Sequence, residues 1–102
     1  MIPDEIDHIA IQVKDIDKSL NWYLENFNCK KIYSDKTWAF IEFNNIKLAL
    51  VTKEQHPFHF AVINNSIHLE KNVKKHRDNS ISKYINGPDG NKIELIKYID
   101  NE

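Results

Sequence analysis

Two histidines and one glutamate occupy repeated positions in this sequence, and their residue types suit metal binding. His8 opens the segment HIAI, and His59 opens the similar segment HFAV 51 residues later. Glu94 lies in the segment KIEL, which is similar to the segment KLAL 45 residues earlier. Two imidazoles and a carboxylate with open coordination positions suit iron(II), manganese, nickel or zinc. If the fold brings the three side chains together, they form a candidate site for a divalent metal ion.

The alternation of residues along three predicted strands indicates which way these side chains point. Residues 6–13 alternate as a half-buried strand does, and Ile9, Ile11 and Val13, which share one face, are the expected partners of a helix. His8 then faces the other side, because successive side chains in a strand point to opposite faces. The same parity turns His59 and Glu94 away from the helices. The three side chains converge if the two halves of the chain pack with those faces together.

The elements that carry these residues are predicted in the same order twice. Asp15 or Asp17 is expected to cap a helix, whose apolar stripe includes Leu24 and Phe27. A helix follows the first and the fifth of the predicted strands. The strands are expected at 6–13, 30–34, 36–43, 46–52, 58–63, 81–86 and 92–99, with one short additional strand between Arg77 and Ser82.

This order predicts an α+β fold that arose by duplication. The first βαβββ module spans about 6–52, and a shortened second module spans about 57–99. With 102 residues, the chain has room for one domain, 1–102. Asn44-Asn45 is expected to form a two-residue hairpin turn, and the only two glycines frame a tight turn at 86–91.

Simpler interpretations exist for the same side chains. A single histidine on a strand is more often a surface or hydrogen-bonded core residue than a metal ligand, and Glu94 can pair with Lys92. His76 is predicted on a basic helix with Lys74 and Lys75, and it is most simply part of a solvated face. Parity and repetition alone leave the metal site and these alternatives open.

Two motifs resemble the vicinal oxygen chelate superfamily, which includes glyoxalase I, extradiol dioxygenases, methylmalonyl-CoA epimerase, fosfomycin-resistance thiol transferases and bleomycin-resistance proteins. The opening IDHIAIQVKD, followed by SLNWY, is similar to the first strand and helix of that family. The ending GPDGNKIELI resembles its closing hairpin, with Gly87 where Asp is usual. The resemblance implies two βαβββ modules that form a half-open barrel around a central cavity and a metal site.

Carried over residue by residue, the resemblance implies that His8, His59 and Glu94 are the metal ligands. A fourth position, a glutamate in glyoxalase I, is occupied here by Ala49, which cannot bind a metal. This departure argues against the glyoxalase I mechanism, in which a metal-bound glutamate serves as base. Glu42 is a weak candidate for that role, and a solvated surface carboxylate is the simpler interpretation.

The same resemblance suggests side chains that contact a substrate. Trp38, Phe40 and Ile63 are expected to supply an apolar wall, and Gln12 a polar contact. The two aromatic residues are equally well explained as core.

The leading functional hypothesis is a metal-dependent enzyme that acts on a small oxygen-bearing substrate chelated by a divalent metal. Lyase or isomerase, ring-cleaving dioxygenase and thiol transferase chemistry all remain open. The alternative is a small-molecule binding protein of the bleomycin-resistance type that works without metal and without catalysis.

Composition narrows the cellular setting. The net charge of −1 gives no basic footprint for nucleic acid. No apolar run approaches the roughly 20 residues that span a membrane, and the start lacks the features of a secretory signal. The single Cys29 excludes an intrachain disulfide. We therefore expect a cytoplasmic protein and, because a small chain gains buried surface by pairing, a homodimer.

Overall fold

The computed structural model describes residues 1–67, 73–76 and 79–99. In this part of the chain there are one α-helix and eight β-strands, which confirms the α+β class. They are β1 (Ile6–Gln12), α1 (Ile16–Asn26), β2 (Lys30–Ser34), β3 (Trp38–Glu42), β4 (Lys47–Val51), β5 (His59–Ile63), β6 (Lys74–Lys75), β7 (Ser80–Asn86) and β8 (Lys92–Tyr98).

The chain divides into two compact units. The first unit is His8–His59, and the second unit comprises Met1–Asp7 and Phe60–Glu102. β1 and β5 each cross the boundary, so His8 and His59 are the first and last residues of the first unit, whereas Glu94 belongs to the second.

The strands of the first unit follow the order β2-β3-β4-β1. β1 runs parallel to β4, while β2, β3 and β4 form antiparallel pairs. The predicted turn at Asn44-Asn45 is confirmed, since Phe43 N–H donates to the carbonyl oxygen of Ile46 at 3.0 Å. This topology places β1 and β3 on either side of β4, which decides the neighbours of His8.

Helix α1 covers one face of that sheet. Asp15 caps its N-terminus by accepting a hydrogen bond from Lys18 N–H at 3.1 Å. Ile16 and Leu20 are buried, and they pack in one cluster with Leu50. Further members of that buried cluster are Ala39 and Ile41.

Three residues predicted in the core are instead substantially exposed. Leu24 is 37% exposed, because it lies beside the apolar stripe of α1 rather than on it, and Phe27 is 48% exposed. Phe27 is the C-cap, and its extended backbone leaves the helical path. Ile9 is 42% exposed, since α1 lies over β2, β3 and β4 rather than over the start of β1. The prediction that Ile9 packs on the helix is therefore wrong.

The strands of the second unit follow the order β5-β8-β7-β6. β7 and β8 form a long antiparallel hairpin whose turn is the predicted one: Gly87 N–H donates to the carbonyl oxygen of Asn91 at 2.9 Å. Gly90 has φ +84°, a conformation that glycine adopts without strain. Register along this hairpin fixes the surroundings of Glu94.

The short additional strand was predicted in the wrong place. It lies at Lys74–Lys75, before Arg77, and pairs with β7. Asn79 has φ 63°, which asparagine tolerates in turns, so the chain reverses there. Of the predicted second helix, His68 and Lys71 lie outside the described residues, while Lys74 and Lys75 form β6 and are not helical.

Helices long and apolar enough to cross a membrane are absent from the part of the chain that the structure describes.

Candidate metal centre

His8 and His59 form a buried pair in the first unit. Their exposed fractions are 6% and 8%, and their ring centroids lie 5.7 Å apart with the planes at 76°. One ring nitrogen of each lies within 4.8 Å of the other. Two imidazoles with nitrogens this close can bind one divalent ion, and the assignment of these two residues as ligands stays a prediction.

The His59 ring is held by the loop that precedes it. Its Nδ1 lies 2.8 Å from the carbonyl oxygen of Pro57. Because a carbonyl oxygen only accepts hydrogen bonds, Nδ1 carries the proton and donates. Nε2 is then the nitrogen with a lone pair for a metal, and such a backbone bond to the other ring nitrogen is usual for metal-binding histidines.

The loop before His59 is itself anchored to β1. Gln12 Nε2 donates to the carbonyl oxygen of His56 at 2.9 Å, and His56 N–H donates to the carbonyl oxygen of Thr52 at 3.2 Å. The Gln12 amide, predicted as a substrate contact, thus has a structural partner, and its contact with substrate stays a prediction.

The sheet surface around His8 is apolar and partly aromatic. Phe40 meets the His8 ring edge-on, with the centroids 5.2 Å apart, and Trp38 packs in the same cluster. Ala10 and Ala49 are direct neighbours in register on β1 and β4. Trp38 and Phe40 therefore lie on the surface that carries His8, where the sequence predicted a wall.

Ala49 occupies the position at which the resemblance implies a fourth ligand in glyoxalase I. It is 4% exposed and lies opposite Phe40 on β3. Its methyl side chain offers no donor atom, so this surface contributes no carboxylate there. Glu42, the weak candidate for a base, is exposed at the end of β3, as a solvated surface carboxylate would be.

Lys47 is a neighbour of His8 that the sequence reasoning missed. It is the register partner of His8 on β4, and its Nζ lies 5.0 Å from the ring centroid of Phe40, a cation–π contact. The signal was available, because Lys47 precedes Ala49 by two residues and so shares its face.

Glu94 is a buried carboxylate in the second unit, 4% exposed. Its register partner on β7 is Tyr84, and its Oε2 lies 3.8 Å from Nε2 of His76. Lys92, which the sequence offered as a partner of Glu94, donates instead to Asn86 Oδ1 at 2.7 Å.

The charge of Glu94 acts on Tyr84. Burial first, and then the nearby carboxylate, raises the pKa of the Tyr84 phenol above its usual range. The phenol therefore stays protonated at physiological pH.

Ile63, the remaining predicted wall residue, is half-buried in β5, and its contact with substrate stays a prediction.

Comparison with known proteins assigns the family. The sequence pattern of the Glyoxalase/Bleomycin resistance protein/Dioxygenase superfamily matches residues 5–71, well over half of the chain. The chain belongs to this superfamily. The resemblance noted in the sequence is thus confirmed at the level of the family, while no protein of curated function matches the chain.

Solved structures show the same glyoxalase-superfamily fold. A hypothetical protein from Bacillus halodurans superposes with a TM-score of 0.77 at 18% identity, over 99% of both chains. A superfamily member from Vibrio splendidus gives 0.67 at 9% identity, over 92% of this chain and 98% of that one. A protein described as an NAD-dependent benzaldehyde dehydrogenase from Legionella pneumophila gives 0.67 at 17% identity, over 92% of this chain and 97% of that one. At these identities the likeness concerns the fold alone.

Proposed function

We propose that this protein is a small metal-dependent enzyme of the vicinal oxygen chelate type, with His8, His59 and Glu94 as ligands of one divalent ion. The observation that carries the proposal is the bond from His59 Nδ1 to the Pro57 carbonyl oxygen at 2.8 Å. It fixes the tautomer that binds metal on a ring whose neighbour is a second buried histidine.

The chemistry of the donor set supports this assignment. Neutral imidazole nitrogens and a carboxylate oxygen together suit iron(II), manganese, nickel and zinc. Glu94 is 4% exposed, and a buried carboxylate is expensive unless a cation or hydrogen-bond donors compensate its charge. A divalent ion bound to Glu94 would add to the stabilisation that its other polar contacts give.

A divalent ion with open coordination positions supplies Lewis acidity, which stabilises negative charge on neighbouring oxygens of a substrate. The chain's own residues would orient that substrate and exclude water. Phe40 and Trp38 present apolar and aromatic surface beside His8. Lys47, next to His8 in register, would place a positive charge near the oxygens of a substrate bound there. These features favour a small, oxygen-rich substrate with an apolar part.

Three ligands rather than four favour particular members of the superfamily. With alanine at position 49, the chain lacks the additional glutamate that serves as base in glyoxalase I, and the resemblance then points to chemistry of the dioxygenase or thiol transferase kind. Gln12, Trp38, Phe40 and Ile63 are proposed as substrate contacts, and Glu42 is not required.

The proposal is tested by metal content and affinity. Wild-type protein, and variants His8→Ala, His59→Ala and Glu94→Gln, are stripped with a chelator and loaded separately with iron(II), manganese, nickel and zinc. Elemental analysis after desalting is expected to find one ion per chain in the wild type and a loss in each variant. The matched controls are His56→Ala and Glu42→Gln, which are expected to retain the ion.

Failure of the wild type to retain any of the four metals would overturn the enzyme proposal. The aromatic surface beside His8 would then be best explained by the alternative, a non-catalytic small-molecule binding protein of the bleomycin-resistance type. Binding of a small aromatic ligand in the absence of metal would support that alternative. Quenching of Trp38 fluorescence would report this binding.

We also propose a homodimer. Ile9 of β1 is 42% exposed, and a second copy of the chain would cover such an apolar side chain. A cytoplasmic location is proposed on the composition alone, because the single Cys29 needs no oxidising compartment.

A further inference from the structure

Three polar side chains of the second unit surround Glu94 on one face of the β7–β8 hairpin. Tyr84 lies directly opposite Glu94, and Ser82 lies opposite Ile96, two residues further along. Directly opposed residues of an antiparallel pair project to the same side of the sheet. Ser82 and Tyr84 therefore share the face of the Glu94 side chain.

His76 reaches the same place from the chain that precedes β7. Its backbone N–H donates to the carbonyl oxygen of Ser80 at 2.8 Å, which fixes the segment after β6. Its ring Nε2 lies 2.6 Å from Ser82 Oγ and 3.8 Å from Glu94 Oε2. His76 was predicted on the solvated face of a helix, and that prediction is wrong for this residue.

The contacts between His76, Ser82 and Glu94 lie mostly away from solvent. Ser82 is 2% exposed and Glu94 is 4% exposed, while the His76 side chain is 23% exposed. A glutamate has several rotatable bonds, so a buried carboxylate that binds a metal has to be held in one rotamer. Side chains that contact metal ligands commonly do this, and their removal weakens metal binding about 10- to 100-fold.

We propose that His76 and Ser82 are positioning residues for the metal centre, which hold the Glu94 carboxylate in the conformation that binds the ion. The Ser82 hydroxyl fixes the His76 ring, and the ring lies against Oε2 of Glu94. The inference rests on the proposed function, because it assumes that Glu94 is a metal ligand.

The test is the affinity of the full chain for zinc and cobalt(II), measured by competition with a chromophoric chelator. His76→Ala and Ser82→Ala are expected to weaken binding about 10- to 100-fold. His76→Gln, whose amide nitrogen can occupy the position of Nε2, is expected to restore most of the affinity. Ser80→Ala is the matched control, since Ser80 lies on the same strand and is equally buried at 1% exposed, and it is expected to bind as the wild type does.

A second readout separates positioning from a purely structural role. The visible spectrum of the cobalt(II) protein depends on ligand geometry, so it is expected to change in His76→Ala, while the melting temperature of the metal-free protein changes no more than in Ser80→Ala. If His76→Ala fails to fold, the metal affinities of His76→Gln and of the shorter His76→Asn are compared instead. The positioning role predicts weaker binding for His76→Asn.

The outcomes distinguish this inference from the proposal on which it rests. Wild-type affinity in His76→Ala and Ser82→Ala, together with lost binding in Glu94→Gln, would overturn the positioning role and leave the metal centre intact. Wild-type affinity in Glu94→Gln would overturn the metal centre itself.

Discussion

The Nδ1 atom of His59 lies 2.8 Å from the carbonyl oxygen of Pro57, two residues earlier in the chain. Proline has no backbone N–H and restricts the residue before it, so this short segment has few conformations. Its carbonyl thereby determines which nitrogen of a buried histidine carries the proton. A local feature of the sequence thus leaves Nε2 of His59 as the nitrogen available to the proposed metal ion.

That bond predicts one tautomer for His59 in the metal-free protein. At pH 8, a long-range proton–nitrogen NMR correlation is expected to find Nδ1 protonated and Nε2 unprotonated. Exposed histidines favour the other tautomer in solution, so His59 would be distinguishable within the same spectrum. A protonated Nε2 on neutral His59 would contradict the proposed ligand geometry.

The core beneath α1 is expected to dominate the stability of the first unit. Leu50 is fully buried, and Leu50→Ala is expected to lower the free energy of unfolding by about 2–5 kcal/mol, since the loss of apolar burial and the new cavity add. Leu24→Ala is the matched control. Leu24 is 37% exposed, so the same change there is expected to lower the free energy of unfolding by less than about 1 kcal/mol. Urea unfolding of both variants tests this, and equal losses would contradict the assigned core.

Asp35 is expected to make stability depend on pH. Burial alone would raise the pKa of its carboxyl group. Hydrogen bonds outweigh burial and hold the pKa well below its usual value. The donors are the Tyr33 hydroxyl, the Thr37 N–H and hydroxyl, and the Trp38 N–H. Stability from a lowered pKa is present above the unfolded value of about 3.9 and is lost as the pH falls toward the folded value.

The variant Asp35→Asn isolates this contribution. At pH 6 it is expected to be less stable than the wild type by about 1 kcal/mol, because neutral acceptors make weaker hydrogen bonds than carboxylates. The difference is expected to shrink below about pH 4, because the carboxyl group of the unfolded wild-type chain then binds a proton while the folded one stays ionised. Urea unfolding at pH 6 and pH 3 measures both values, and a gap that stays constant would contradict the role of Asp35.

The proposed homodimer predicts a particle of about 24 kDa, twice the 12.1 kDa chain. Size-exclusion chromatography with light scattering measures this mass directly. Ile9→Lys is expected to favour the monomer, because it places a charge at an exposed apolar position of β1. Leu24→Lys serves as a control on another exposed side chain. A 12 kDa particle for the wild type would contradict the dimer.

Much of the first unit could be predicted because its signals are local. Asp15 caps α1, alternation defines β1, and the paired asparagines mark the β3–β4 turn. The family resemblance also suggested Trp38 and Phe40 as a wall of the site, and both lie on the surface that carries His8. The exposure of Ile9 could not be predicted in this way, because it depends on how far an 11-residue helix reaches across the sheet.

The surroundings of Glu94 depend on contacts distant in sequence. Charged residues around His76 suggested a solvated helix, but β6 instead pairs with β7 and brings the ring to Ser82. No periodic pattern marks a two-residue strand. Lys47, in contrast, carries a local signal, since it lies two residues before Ala49 on the same strand and so shares its face.

The most direct test of the metal centre is a crystal soaked with zinc and measured at the zinc absorption edge. One anomalous peak is expected about 2.0–2.2 Å from Nε2 of His59, from a ring nitrogen of His8 and from a carboxylate oxygen of Glu94. Anomalous peaks confined to other residues, with none at His59, would contradict the account.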